Sequence, residues 1–342
     1  MKSTSLRHWL VVALWFPLLA HADFRYWIEP IDVGDPTAAL VVNDLNNRGE
    51  VVGEVFGNRT KGFYWRNGQY KDLDPLLGPS RYFSSAASIN DRSQIVGAAM
   101  DDQFNLHGKL VDGNRTKSLP EAFTEPTHIN IRGQVVTRGE AGSFVLHRGQ
   151  VVPLQALSSS RPVTAPLGFN NWGVVVGESV AQDGFARPVA WLPPYRDVMP
   201  LPLPTGYVSG QARAINDRGQ IVGALQSDLP RLRAFSWKNG RSSLLRKLYA
   251  DQRHSEATDI NDFGVVVGYT VNNDGAQIAT LWLGNAAYDL NRLVSPRDPR
   301  GAAMTLMVAY KINELGQILA IGRETIGTDT RDRWVLLSLW RR

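Results

Sequence analysis

Seven times along this chain an apolar residue is followed by Asn, two variable residues, a Gly (Ser in one copy) and a second apolar run. The copies are Leu45-Asn46-Asn47-Arg48-Gly49, Ile89-Asn90-Asp91-Arg92-Ser93, Ile129-Asn130-Ile131-Arg132-Gly133, Phe169-Asn170-Asn171-Trp172-Gly173, Ile215-Asn216-Asp217-Arg218-Gly219, Ile260-Asn261-Asp262-Phe263-Gly264 and Ile312-Asn313-Glu314-Leu315-Gly316. Their asparagines are spaced by 44, 40, 40, 46, 45 and 52 residues. A period of this size restricts the chain to a solenoid, a propeller or an array, since one unit cannot bury its apolar face alone.

The copy from Ala214 to Gly223 is the clearest. It reads as strand, tight turn, strand. An Asn side chain bonds backbone two residues ahead and nucleates the turn, and Gly takes the left-handed conformation that closes it. Gly223 interrupts the second strand, which predicts a bulge or a close backbone approach there. A third strand follows in most units, as in Gly62-Phe63-Tyr64-Trp65, Pro188-Val189-Ala190-Trp191, Ala234-Phe235-Ser236-Trp237 and Ala279-Thr280-Leu281-Trp282. Asn67-Gly68 and Asn239-Gly240 then mark a hairpin into a fourth. The last unit supplies three strands, with a long connection around Glu324 to Arg333. The segment Phe24 to Gly34 is a spare strand, with Ile31-Asp32-Val33 resembling Lys71-Asp72-Leu73. Four strands per unit, seven units and complementary termini predict an all-β fold, a seven-bladed β-propeller whose N-terminal strand completes the last blade. A linear β-solenoid is the alternative, but would need no complementary termini.

Met1 to Ala22 stands outside the repeats. Lys2 and Arg7 precede an apolar run of 12 residues, Trp9 to Ala20, and Ala20-His21-Ala22 is a small-x-small cleavage site. That pattern predicts a secretory signal peptide over 1–22 and one propeller domain over 23–342. The leader carries two basic residues and no acid, so the formal charge falls from +5 to +3 on its removal. That is no nucleic-acid signature. There is no cysteine among the 342 residues, which excludes a lipid-anchored N-terminus, disulfides and thiolate metal sites. The expected location is periplasmic or secreted, without a membrane span and as a monomer.

The recurring Ile-Asn-x-x-Gly-Gln-Ile-Val-Gly followed by Ala-Phe-x-Trp and an Asn-Gly turn, best seen in Gln220-Ile221-Val222-Gly223 and Arg233-Ala234-Phe235-Ser236-Trp237, resembles the HAF family of bacterial extracellular repeats. Nearly all of residues 24–342 takes part in the resemblance. It implies export and supplies no catalytic residues.

The anchor asparagines and glycines are read as turn formers, and the third-strand tryptophans as packing between blades. Arg48, Arg92, Arg132 and Arg218 share a turn position that demands no arginine, with Trp172, Phe263 and Leu315 in the other units. A propeller would bring them to one face as a basic, partly aromatic arc. On the opposite face Arg253, His254, Glu256, Arg331 and Arg333 are charged loop candidates, as are Arg81, Tyr82, Arg231, Arg233, Arg297 and Asp298. His254 with Glu256 is a conceivable acid/base pair. No two of His107, His128, His147 and His254 share a metal-ligand spacing, so no metal, cofactor or catalytic set is expected. Asp101-Asp102 and Asn272 to Gly275 read as ordinary turns. Taken together these predict an exported, non-catalytic binding propeller. Its partner would be an envelope protein, which includes a toxin it neutralises, or an envelope polysaccharide. The alternatives are a lectin-like glycan binder, or a periplasmic hydrolase or lyase at the axial mouth.

Overall fold

The structure, a computed structural model, describes residues 25–35, 38–78, 82–139, 142–229 and 231–339; the expected leader and Arg81 lie outside them. Seven four-stranded antiparallel sheets are present among these residues. In the fifth, Tyr207–Ile215, Ile221–Ser227, Leu232–Lys238 and Arg241–Leu244 pair in chain order. Five other blades repeat that order, the last takes its outer strand from the N-terminal end, and the sheets form a seven-bladed β-propeller.

The local cause is the turn. In blade five the Asn216 Oδ1 accepts the backbone N–H groups of Arg218 and Gln220 at 3.1 and 2.9 Å. Gly219 closes the turn at φ +73°. Four residues later Gly223 stands opposite Ala212, where the first strand bulges between Ala212 and Ala214. A Cβ on Gly223 would sit 2.0 Å from the Gln211 carbonyl oxygen, so only glycine lets the second strand pass the bulge this closely.

The same asparagines also tie the blades together. Asn46 Nδ2 donates to the Asn90 carbonyl, Asn90 to Asn130, Asn130 to Asn170, Asn170 to Asn216, Asn216 to Asn261 and Asn261 to Asn313, at 2.9–3.2 Å. Asn313 then donates to the Asn46 carbonyl at 3.0 Å and closes the circle. All seven are at most 5% exposed.

Blade seven takes its fourth strand from the other end of the chain. Tyr26–Pro30 pairs antiparallel with Asp329–Leu339, Tyr26 opposite Leu339 and Pro30 opposite Val335. On its outer side Ile28 N–H donates to Asp298 Oδ2 at 2.6 Å, and Ser295 N–H to the Tyr26 carbonyl. The match to blade one differs from the expected one by two residues. Ile31 N–H bonds the Trp334 carbonyl as Leu73 N–H bonds that of Gly62, so Ile31, not Val33, stands in the place of Leu73. A two-residue slip leaves the same side chains facing inward, so the alternating pattern does not resolve it. The expected loop from Glu324 to Arg333 is also different. Ile318–Ile326 and Asp329–Leu339 stay paired to Ile326–Asp329 and turn at Gly327. Cross-strand pairs such as Arg323–Asp332 replace apolar alternation there, so the hydropathy pattern reads as loop.

The core lies between adjacent blades. Val51, Val135, Val175 and Val266 on second strands are essentially unexposed, as are Trp65, Trp191 and Trp282 on third strands. Trp191 Nε1–H donates to the Gln155 carbonyl after blade three, and Trp282 Nε1–H to the Arg246 carbonyl after blade five, both at 2.8 Å. Trp191 and Trp282 are thus inter-blade fillers with their polar handles satisfied, whereas Trp65 Nε1 is buried with no hydrogen-bond partner among the described residues.

Candidate functional site: the axial channel

The seven first strands surround the propeller axis, and the side chains they send inward form three levels. At the turn face the residue after each anchor asparagine reaches toward its neighbour. Asn47 N–H donates to Asp91, Ile131 N–H to Asn171, Asn171 N–H to Asp217, Asp217 N–H to Asp262, Asp262 N–H to Glu314 and Glu314 N–H to Asn47, all at 2.7–3.0 Å. Ile131 has no acceptor to offer Asp91, which leaves the chain of clasps one link short. Asn47, Asp91, Asn171, Asp217, Asp262 and Glu314, with Phe169, Phe263 and Leu315, line a cavity of about 390 Å³. Burial pushes the Glu314 carboxyl up to about 8, with the neighbouring Asp262 charge adding to it. Burial raises Asp262 as well.

Outside this acidic level stand the turn residues singled out in the sequence. Arg48, Arg92, Arg132 and Arg218 are on the rim. The Arg132 guanidinium lies 5.0 Å from the Trp172 ring centre, and that of Arg218 5.9 Å from the Phe263 ring. Trp172 is 59% exposed, yet its Nε1–H donates to the Asp217 carbonyl at 2.9 Å. The four guanidiniums face four carboxylates across the same mouth, so the rim is mixed in charge, with an aromatic sector from Trp172 to Phe263.

Two residues before each anchor the channel narrows to a waist. Asp44, Ser88, His128, Asp259 and Lys311, together with Arg213, line a cavity of about 100 Å³ that shares Phe169 and Ile215 with the mouth. Lys311 Nζ lies 3.7 Å from Asp44 Oδ1. Asp44 Oδ2 accepts Ser88 Oγ–H and Ile89 N–H, and Asp259 Oδ2 accepts Ile312 N–H. Burial, with the Lys311 charge adding, takes His128 down to about 4. Burial lifts Asp259 to about 6 against the pull of Lys311.

The opposite mouth gathers, around the sequence candidate Glu256, residues that the sequence reading missed. Arg213 Nη2 pairs with Glu256 Oε1 at 2.5 Å, and Tyr269 O–H donates to Glu256 Oε2 at 3.0 Å. Burial raises the Glu178 carboxyl against the pull of Gln211, Arg213 and Arg138. The Tyr310 ring packs at 4.8 Å against that of Trp334. The available signal was departure from the repeat. Eight residues after the anchor, Ala98, Ala224 and Ile321 stand where other blades have Arg138, Glu178 and Tyr269.

The remaining sequence candidates are dispersed. His254 Nδ1 accepts Leu232 N–H at 3.1 Å and so bridges blades five and six, while Glu256 is held by Arg213 and Tyr269; each is committed to a different partner. Arg253 bonds Asn273, and Arg331 and Arg333 both bond Glu324. Asp298 is a structural acceptor for the N-terminal strand. Asp101 Oδ1 accepts Gln103 N–H and Asn105 N–H, as a turn former does. Among the described residues no three His, Asp or Glu side chains are placed to hold a metal ion, and no helix is long and apolar enough to cross a membrane.

No protein-family model matches the chain, and no curated protein is similar to it. Solved structures do match. The extracellular domain of a one component system from B. thetaiotaomicron superposes with a TM-score of 0.55 at 10% identity, over 92% of this chain and 40% of the other. A Mycobacterium tuberculosis puromycin-hydrolyzing peptidase gives 0.57 at 12%, over 93% and 55%. YCF48 bound to D1 peptide gives 0.54 at 12%, over 92% and 97%. The chain thus spans about half or less of the first two and nearly all of the third. At these identities the likeness is one of fold.

Proposed function

We propose that this is an exported, non-catalytic binding propeller of the HAF repeat type, which takes an envelope or extracellular protein on its turn face. Trp172 carries the reading. A large aromatic side chain left 59% exposed is fixed by its indole hydrogen bond and by the Arg132 guanidinium over its ring. A pre-ordered Trp flanked by Arg is what interface anchors consist of, since little side-chain freedom remains to be lost on binding. The 1–22 leader pattern supports export. A solved structure of similar fold is described as YCF48 bound to D1 peptide, which is compatible with the reading.

The competing enzymatic reading draws on the Asp44, His128, Asp259 and Lys311 convergence at the waist. A cavity of about 100 Å³ has room for a few waters at roughly 30 Å³ each, and its carboxylates are occupied by backbone N–H groups. Binding is therefore the better reading. The test is capture from envelope extract on immobilised mature protein, with mass spectrometry of what is retained. Trp172→Ala and the pair Arg132→Ser with Arg218→Ser should keep the melting temperature and lose the captured protein. Capture of the same partners by Trp172→Ala would remove the turn face as the interface.

A further inference from the structure

We propose that the mouth opposite the Asn-Gly turns is a saccharide-binding site, with Tyr310 and Trp334 as its stacking wall and Glu178, Arg213 and Glu256 as its polar side. It lies at the other end of the channel from Trp172 and does not depend on the turn-face reading.

The repeat provides its own control. Three residues before the anchor, where Arg213 and Tyr310 stand, other blades have Ala87, Thr127 and Leu167; eight residues after it, where Glu178 and Tyr269 stand, others have Ala98, Ala224 and Ile321. Blade one has Asn43 and Glu54 there and blade six Thr258, but blade two carries Ala at both places, so small apolar side chains satisfy the blade fold. Charged and phenolic groups have been concentrated on one mouth without a demand from the fold.

Their chemistry selects the ligand. Glu178 and Glu256 accept hydrogen bonds, Arg213 and Arg138 donate them, and Gln211 does both. With Glu54 at the repeat position of Glu178 the carboxylates number three against two guanidiniums, which disfavours an anion, and among the described residues no three acids gather to hold a cation. A ring of hydroxyl groups, each donor and acceptor at once, uses such an alternation fully. Tyr310 is 37% exposed and is backed by Trp334, whose Nε1–H is tied to the Leu40 carbonyl; this gives an apolar face of the size of a pyranose. The polar side is already ordered by the Arg213–Glu256 pair and the Tyr269 hydroxyl, which lowers the entropic cost of recognition.

The experiment is calorimetric titration and saturation-transfer NMR of the mature protein. The probes are uncharged linear tetrasaccharides of glucose, galactose and N-acetylglucosamine, the corresponding free sugars, and a uronic acid oligomer. At least one uncharged probe should bind, Tyr310→Ala and Glu178→Gln should each weaken it by about tenfold or more, and Trp172→Ala should leave it unchanged. Binding of free sugar and tetrasaccharide alike would point to a terminal residue, and of the tetrasaccharide alone to a polymer; both support the site. Should Tyr310→Ala not fold, Glu178→Gln decides. The proposal is overturned if no uncharged probe binds at millimolar concentration, if only the uronic oligomer binds, if binding survives both variants, or if Trp172→Ala abolishes it.

Discussion

At the residue scale the asparagine of each repeat has two duties that a single substitution can separate. Its Oδ1 nucleates the turn within a blade, and its Nδ2 bonds the next blade. Asn261→Asp keeps the acceptor and loses the donor, placing an oxygen against the Asn313 carbonyl at a site 1% exposed. Asn261→Ala loses both. We expect Asn261→Asp to cost about 1–3 kcal/mol, the range for a buried group left without its partner, and Asn261→Ala to cost more. Equal melting temperatures for wild type and Asn261→Asp would show that the inter-blade bond contributes nothing. The turn duty was legible in the sequence because Asn and Gly at fixed spacing have a local cause. The inter-blade duty was not, because it joins residues 40 to 52 positions apart, and in one case 267 apart. The same distinction governs the site. The rim position of Arg48, Arg132 and Arg218 was readable since it lies in phase with a turn. The Arg213–Glu256 pair was not, since these two become neighbours only once the first strands of blades five and six stand side by side, although Tyr269 faces Glu256 within one hairpin.

At the element scale, the N-terminal strand is held on both sides. Its inner edge pairs with the last strand of the chain, and its outer edge meets Val294 to Asp298. Tyr26 and Ile28 are 3% and 0% exposed and join the cluster that includes Leu293, Leu306 and Leu337. Deleting residues 23–34 removes these side chains and leaves a bare edge on blade seven. The melting temperature should fall by ten degrees or more, as loss of two large buried side chains at roughly 2–5 kcal/mol each implies. A synthetic peptide of that sequence should restore part of the loss. An unchanged melting curve would mean that ring closure does not stabilise the fold. The strand was foreseen because the last unit is one strand short; its register was not, because alternation repeats every two residues.

At the scale of the whole molecule, closing seven blades round an axis forces the turn carboxylates together in partly desolvated space. Glu314, Asp262 and Asp259 are raised by burial, Glu314 to about 8 and Asp259 to about 6. Asp217, Asp262 and Asp259 all act on Glu314, and Arg218 offsets part of the charge on Asp262. For a carboxyl whose folded pKa exceeds its unfolded value, the folded state holds the proton more tightly. The stability this gives is complete below the unfolded pKa and is lost as pH rises through the folded one. The window for Glu314 therefore runs from its ordinary value of 4.5 up to about 8, and for Asp259 from 3.8 up to about 6. His128, lowered by burial from 6.5 to about 4, works the other way and offsets the Asp259 part, so the clear fall in melting temperature should lie between pH 6.5 and 8.5, where Glu314 alone of these three still titrates. Glu314→Gln keeps an acceptor for the Asp262 N–H and cannot ionise. Its melting temperature should match wild type near pH 5 and exceed it at pH 8.5, flattening the upper half of the profile and leaving the opposed Asp259 and His128 parts below it. Parallel profiles for the two proteins would show that Glu314 is not the group whose charge the closed ring resists.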